Sequence, residues 1–216
     1  MKKVKLIIPP KRLMTQTNVG DPVFYHYYPI TGIIYRRRLK NTLSLMQPYH
    51  FRKLLEIGYG SGVFLPTLSK MADHVTALDL HTETALVQRM LDWYQIQNVA
   101  LQSGDIMHMP FPDRQFDGCV IVSTLEDIAE SGRAVDEIKR VVAKDGNIFI
   151  SFPVKNIITD SFFKLVGEDP EDIHPSDHRY ILDFLKKNFE IRRVLLYPRY
   201  LPLDFALYAS VHCINS

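Results

Sequence analysis

The sequence predicts an α/β fold in which a mostly parallel sheet of seven strands carries helices on both faces and its last strand runs antiparallel. Predicted strands and helices alternate along residues 53–152. The strand segments are continuous apolar runs, which is typical of parallel strands that are covered on both faces. The last two predicted strands are joined only by residues 198–202, which is too short for a helical crossover. We therefore expect these two strands to pair antiparallel.

Each element is predicted from its apolar pattern and from the residues that end it. The segment Lys144-Asp145-Gly146 predicts a turn before the fifth strand. Ser176 or Asp177 is a suitable N-cap for the last helix. The strands are predicted at residues 53–57, 75–80, 99–102, 118–122, 147–152, 189–197 and 204–214, and the helices between them at residues 63–71, 83–97, 133–142 and 177–188.

An N-terminal helical extension, residues 1–47, precedes the predicted domain at residues 48–216. Thr31 is a suitable N-cap for a helix that runs to about residue 47, where Pro48 stops it. Apolar side chains at three- and four-residue spacing predict one buried face, formed by Tyr35, Leu39, Leu43 and Met46. The other sides of this helix carry the cations Arg36, Arg37, Arg38 and Lys40.

Composition and charge limit the classes of protein that the chain can belong to. No apolar run approaches the ~18 residues of a membrane span, and the first residues lack a signal-peptide core, so we expect a cytoplasmic protein. Two cysteines without CxxC spacing predict neither a metal site nor a disulfide. Residues 1–53 hold eleven Lys or Arg and one acid, Asp21, whereas acids outnumber bases in the remainder. This basic region either faces an anionic partner or simply solvates a helix.

A glycine-rich segment follows the first predicted strand, with Gly58, Gly60 and Gly62 after the acid Glu56. Glycines at this point let the backbone approach a ligand and adopt positive φ. Asp79 ends the second strand and Asp105 follows the third, so acids lie at the carboxyl edge where open α/β sheets bind ligands. The third glycine comes one residue too early for the dinucleotide pattern G-x-G-x-x-G, which argues against a nicotinamide cofactor.

At these residues the chain resembles the class I S-adenosylmethionine-dependent methyltransferases, and within them the group labelled type 11. Glu56 with the three glycines matches the family's first motif, Asp79 its second-strand acid, and Gly104-Asp105 its third-strand pair. Residues 109–117 resemble the family's Leu-Pro-Phe-x-Asp…Phe-Asp segment. Residues 140–146 resemble its Arg-Val-Leu-Lys-Pro-Gly, with Asp145 in place of the proline. The resemblance covers about residues 52–152 and implies a Rossmann-like sheet with S-adenosyl-L-methionine as the cofactor.

The resemblance also implies roles for individual residues. The glycine segment is expected beside the methionine part and the sugar of the cofactor, Asp79 at the ribose hydroxyls, and Asp105 at the adenine amino group. The residues implied in cofactor binding are Glu56, Gly58, Tyr59, Gly60, Gly62, Asp79, Leu80, Asp105, Ile106 and Ser123. The residues implied near the methyl acceptor are Thr124 and Tyr28, and packing in the interior is an equally good interpretation of Tyr28.

Methyl transfer from a sulfonium is an in-line displacement, so the protein mainly positions two reactants and need not supply a catalytic residue. Glu126, His174 and His178 are weak candidates for a general base. Glu126 is also typical of an acid before a helix, and the two histidines are also typical of loop or capping residues. Their H-x-x-x-H spacing lacks a third ligand nearby, so we expect no metal site.

The acceptor is predicted only by class. Residues 153–175 are predicted to be a lid insertion, and they mix apolar and acidic side chains, which suits a small-molecule or lipid-like acceptor. DNA is an unexpected partner, because neither an Asn/Asp-Pro-Pro-Tyr segment nor a Pro-Cys nucleophile is present. Methylation of RNA or protein and a non-catalytic binding module remain alternatives. The basic N-terminal region further suggests peripheral contact with an anionic membrane surface.

Overall fold

A computed structural model of the chain describes residues 3–18, 20–128, 131–156, 159 and 178–216. The strands are β1 (Phe51–Ile57), β2 (Ala72–Asp79), β3 (Val99–Ser103), β4 (Phe116–Val122), β5 (Val142–Pro153), β6 (Glu190–Tyr197) and β7 (Tyr208–Ile214). The α-helices among these residues are α1 (Thr31–Met46), α2 (Leu65–Leu68), α3 (Thr84–Trp93), α4 (Ser131–Val141) and α5 (His178–Asn188).

The seven strands form one sheet in the order β3-β2-β1-β4-β5-β7-β6. Strands β1 to β5 pair in parallel, and β7 pairs antiparallel with both β5 and β6. The predicted fold class and the antiparallel ending are therefore confirmed. The register aligns Ile57 with Leu78 and Ile121, so β1, β2 and β4 end at the same edge of the sheet.

Apolar side chains cover both faces of the sheet, which explains the continuous apolar runs in the sequence. On β1, Leu55 and Ile57 belong to one core cluster, and Leu54 belongs to the other. Helices α4 and α5 pack on the first face through residues such as Ile138 and Leu185. The second face is covered by apolar residues of α1, α2 and α3.

Helix α1 lies against the strands at one end of the sheet. Its predicted apolar stripe is confirmed, because Tyr35, Leu39, Leu43 and Met46 are all buried. The ring of Tyr35 lies 6.5 Å from that of Tyr208, which begins β7. The predicted N-cap is wrong, since the Thr31 hydroxyl instead donates a hydrogen bond to the carbonyl oxygen of Tyr25 at 2.7 Å.

Helix α3 spans Thr84–Trp93 rather than the predicted residues 83–97, and two further elements are shorter than expected, with a proline contributing to each of these two differences. Helix α2 was predicted at residues 63–71 but spans only Leu65–Leu68. Around it the Leu65 and Thr67 amides bond to carbonyls three residues back, and Pro66 has no amide hydrogen to donate. In the predicted last strand, Leu203–Phe205 form a 3-10 turn after Pro202, so β7 begins at Tyr208 rather than at residue 204.

The first residues of the chain run across the sheet face that α1, α2 and α3 cover, and we call this segment the strap. The Ile7 amide donates to the Thr67 hydroxyl at 2.9 Å, and that hydroxyl lies 3.3 Å from the Ile7 carbonyl oxygen. The Gln47 side chain holds the backbone of Val4 in the same way, by contacts of 3.2 and 2.5 Å. The side chains of Gln47, just after α1, and of Thr67 in α2 therefore fix the path of the N-terminal segment.

Replacing Thr67 with Val should lower the free energy of unfolding by roughly 1 kcal/mol, because the partly buried backbone groups of Ile7 lose their partner. Urea denaturation monitored by circular dichroism measures this change. Thr82→Val is the matched control, since Thr82 is exposed. Equal unfolding midpoints for Thr67→Val and the control would show that the strap does not depend on this hydroxyl.

Candidate functional site

The turn after β1 is built from backbone in the left-handed region. Gly58, Gly60 and Gly62 have φ values of +74°, +49° and +75°, which side chains disfavour. A Cβ on Gly58 would lie 2.0 Å from the Thr124 hydroxyl oxygen, and one on Gly62 would lie 2.6 Å from Val87. Bare backbone is therefore required, and it brings the loop after β4 directly against the turn.

Asp79, the last residue of β2, is held against this turn. One of its carboxylate oxygens accepts a hydrogen bond from the Gly60 amide at 2.7 Å, and the other accepts one from the His81 amide at 3.2 Å. The His81 ring nitrogen Nε2 lies 2.9 Å from the Gly60 carbonyl oxygen. The ring also packs edge-on against Tyr59, with centroids 4.8 Å apart. Sequence reasoning assigned no role to His81, which nevertheless fixes the relation between β2 and the turn.

A cavity of about 230 Å³ opens beside the glycine turn. Its walls come from three parts of the chain: the turn with Asp79, the residues that follow β4, and the N-terminal segment with α1. The lining residues used below are Asp21, His26, Arg38, Glu56, Gly58, Tyr59, Gly60, Asp79, Ser123 and Thr124. The N-terminal extension is therefore part of the cavity and not only a cover for the sheet.

Asp21 brings a carboxylate from the N-terminal segment to the cavity. It accepts hydrogen bonds from the Thr17 amide and hydroxyl and from the Val23 amide, each at 3.1 Å. The Ser61 hydroxyl lies 3.4 Å from the same carboxylate. Burial raises the pKa of Asp21 despite these donors. Its being the one acid among residues 1–53 was the available sequence signal, but no role was assigned to it.

Arg38 points into the cavity, so the prediction that it belongs to the solvent-facing cations of α1 is wrong. It is only 5% exposed, and its Nη1 donates to the Ser123 hydroxyl at 2.5 Å. Its guanidinium carbon lies 4.8 Å from the ring centroid of Tyr35 and 5.6 Å from that of Tyr208. Within the described part of the chain, no carboxylate forms an ion pair with Arg38, and its buried Nε makes no hydrogen bond.

The cavity is electrically polarised. Burial, and secondarily the charge of Asp79, raises the pKa of Glu56 to about 8. One oxygen of this carboxyl is buried without a hydrogen-bond partner among the described residues. In the N-terminal part of the wall, burial and the nearby charges of Arg38 and Arg36 lower the pKa of His26 to about 3. The cavity wall thus holds the acids Asp21 and Asp79 as well as the cation Arg38, which suits a ligand that carries both signs of charge.

A scan against protein-family models matches residues 55–150 to a family described as a methyltransferase domain. The chain is 28% identical over 156 residues to demethylmenaquinone methyltransferase from Corynebacterium kroppenstedtii, which covers 66% of each chain. It is 32% identical over 134 residues to malonyl-(acyl-carrier protein) O-methyltransferase from Erwinia billingiae, covering 60% of this chain and 49% of that one. The chain thus spans about half to two thirds of the length of these relatives.

Among solved structures, the fold matches the N-methyltransferase NodS from Bradyrhizobium japonicum in complex with S-adenosyl-L-homocysteine. The TM-score is 0.66 at 15% identity, and the match covers 93% of this chain and 94% of that chain. At this identity the likeness concerns the fold alone.

The structure brings most of the sequence-predicted site residues together at the cavity. Gly62 packs beneath the turn and does not line the cavity. The Gly104 amide donates to the Asp79 carbonyl oxygen, so the residues after β3 lie beside Asp79 but outside the lining. There Leu80 is 71% exposed, the Asp105 carboxylate accepts a hydrogen bond from the Met107 amide, and Ile106 is buried in the core.

The residues predicted near the acceptor or as bases are more scattered. Tyr28 is half exposed, lies outside the cavity lining, and has the Lys11 amine 5.3 Å from its ring centroid. Glu126 is buried just after β4. His178 is buried at the start of α5, where its Nε2 lies 3.4 Å from an Asp204 oxygen. His174 and most of the predicted insertion at 153–175 lie outside the described residues, which contain no cluster able to hold a metal.

Replacing Glu56 with Gln should remove a pH-dependent loss of stability. The folded chain holds the Glu56 proton up to about pH 8, whereas the unfolded chain releases it near the ordinary pKa of 4.5. The folded state therefore binds more protons in this interval, and wild-type stability falls as the pH rises through it. The stability of Glu56→Gln relative to wild type should improve by roughly 2 kcal/mol between about pH 5 and pH 7.

Urea denaturation at a series of pH values measures this difference. Glu83→Gln is the matched control, because Glu83 is exposed. A difference between Glu56→Gln and wild type that stays constant with pH would show that Glu56 is ionised in the folded chain.

Proposed function

We propose that the chain transfers a methyl group from S-adenosyl-L-methionine to a small-molecule or lipid-like acceptor, on the premise that residues 55–150 match a family described as a methyltransferase domain. The observation that carries the proposal is the cavity beside the glycine turn, whose wall holds Asp21, Glu56 and Asp79 together with Arg38. Two relatives support the acceptor class, because one is named a demethylmenaquinone methyltransferase and the other a malonyl-(acyl-carrier protein) O-methyltransferase.

The described residues fit the charges of the cofactor. We propose that the bare backbone of the glycine turn contacts its methionine part and sugar, because no side chain fits there. Asp79 would accept the ribose hydroxyls at the end of β2. Asp21 offers an acidic side chain to the cationic ammonium, and the buried carboxyl of Glu56 offers an oxygen that has no hydrogen-bond partner among the described residues. Leu80, Asp105 and Ile106 lie next to Asp79 and would border the adenine.

When bound, the cofactor supplies the electrophilic methyl group, and the remaining work of the protein is positioning. Ser123 and Thr124 follow β4 at the cavity wall, where they would border the transferred group. Arg38 is fixed by the Ser123 hydroxyl and by two aromatic rings, so it offers a held cation for an anionic oxygen of a reactant. Glu126 and His178 are buried, and we keep both as candidate bases for an acceptor that must lose a proton.

The chain should bind S-adenosylmethionine and S-adenosylhomocysteine and should not bind NAD. Asp79→Ala should weaken the binding of either sulfur compound about ten- to hundredfold, because a charged acceptor of two hydrogen bonds is lost. Isothermal titration calorimetry measures the dissociation constants. Asp73→Ala is the matched control, since Asp73 lies on the same strand but is exposed and pairs with His50. Binding of NAD without a response to the sulfur compounds would refute the proposal.

Methyl transfer can be tested without knowledge of the acceptor. The protein is incubated with cofactor labelled in the methyl group and with fractionated cell extract, and Asp79→Ala serves as the inactive reference. We expect label in the small-molecule or lipid pool. Label in RNA or protein would replace the proposed acceptor class by one of the alternatives. Cofactor binding without label in any pool would favour a non-catalytic binding module.

A further inference from the structure

Large apolar side chains are exposed in two segments near the carboxyl edge of the sheet. One segment is the start of α1, and the second is the connection between β6 and β7. We call these side chains the edge patch: Ile30 (66% exposed), Ile33 (57%), Tyr200 (97%), Leu201 (39%) and Phe205 (54%). Exposed apolar groups gathered in this way are typical of an interaction surface.

The two segments lie at the same edge because the strand register places them there. Tyr208 pairs with Pro153 at the carboxyl end of β5 and with Tyr197 at the end of β6. The Tyr35 ring of α1 packs on Tyr208, and the Arg37 guanidinium lies 5.5 Å from the Tyr197 ring centroid. The edge patch therefore shares the carboxyl edge with the cavity.

Cations are ordered behind the apolar tip. Ile30, Ile33, Arg37 and Lys40 recur at three- and four-residue spacing, and all four are exposed. They therefore form one outward strip along α1. With a rise of 1.5 Å per residue, the two cations lie about 5–10 Å behind Ile33. The connection adds the exposed Arg199. Its acid Asp204 is paired with Arg179 at 3.0 Å.

We propose that the edge patch docks on an anionic lipid surface, with its apolar tip among the acyl chains and its cations at the headgroups. The spacing matches the depth of about 5–10 Å to which interfacial elements bury their apolar face. Aliphatic Ile30 and Ile33 at the tip favour lipid over RNA, whose phosphates contact cations and whose bases stack on aromatic rings. Among the described residues, no helix is long and apolar enough to cross a membrane.

The inference rests on the proposed function in one respect, because docking would bring the cavity to a lipid-like acceptor. It also revises the role of the N-terminal cations. Arg38 belongs to the cavity wall, and Arg36 donates from its side chain to the Gly32 carbonyl oxygen at 2.8 Å. The cations available to the membrane on α1 are therefore Arg37 and Lys40.

Sedimentation with phosphatidylcholine vesicles, with and without about 30% phosphatidylglycerol, tests the docking of the full chain. We expect binding to the anionic vesicles that weakens at high salt. The double variant Arg37→Gln with Lys40→Gln should bind about tenfold or more weakly at low salt. Tyr200→Ser with Phe205→Ser should weaken binding by a similar factor, because apolar area is lost. The matched controls are Arg89→Gln and Val194→Ser, which change exposed residues outside the edge patch.

The proposal is overturned by any of three results: no binding to anionic vesicles, equal loss in the control variants, or binding of RNA without binding of vesicles. Calorimetry with S-adenosylhomocysteine on the same preparations separates the two proposals. Normal calorimetric binding without vesicle binding refutes only the docking, whereas vesicle binding without calorimetric binding refutes only the proposed function.

Discussion

The rest of the site depends on a steric constraint at the end of β1. Three glycines have positive φ, and this lets the turn contact Thr124 and donate the Gly60 amide to the carboxylate of Asp79. Because no Cβ intrudes, the loop after β4 and the end of β2 can approach the same backbone. The cavity exists because these elements meet the turn without filling the space beside it. The parallel register sets up this meeting by ending β1, β2 and β4 at one edge.

Much of this arrangement is written locally in the sequence. The glycine spacing, the acid that ends β2 and the continuous apolar runs are short-range signals, and each one predicted the element or residue that the structure contains. The antiparallel ending followed from the length of a single link. Short sequence patterns of this kind predict structure because they reflect the steric and hydrogen-bonding requirements of the backbone itself.

The inward side chains of the N-terminal extension were harder to predict. Arg38 was grouped with its charged neighbours, although helical spacing places it three residues after Tyr35 and beside Leu39 on the buried side. Whether such a residue points to water or to a cavity depends on the strands that α1 meets, and a one-residue charge pattern does not contain that information. Asp21 is similar, because its burial requires the turn at Ser61, forty residues away. Prolines also shifted the ends of α2 and the start of β7. The apolar runs used to predict these elements extend past the prolines, so the predicted elements were too long.

The cavity wall crosses the boundary of the segment that matches the methyltransferase family model. Residues 55–150 supply the glycine turn, Asp79 and the residues after β4, whereas Asp21, His26 and Arg38 come from the segment before it. The contact of Ile7 with Thr67 ties that segment to the domain, as does the apolar packing of α1 on the sheet. Substitutions in the N-terminal segment can therefore change one part of the cavity wall without altering the part that residues 55–150 supply. The ligand that fits the N-terminal part of the wall can in this way change while the glycine turn and Asp79 stay the same.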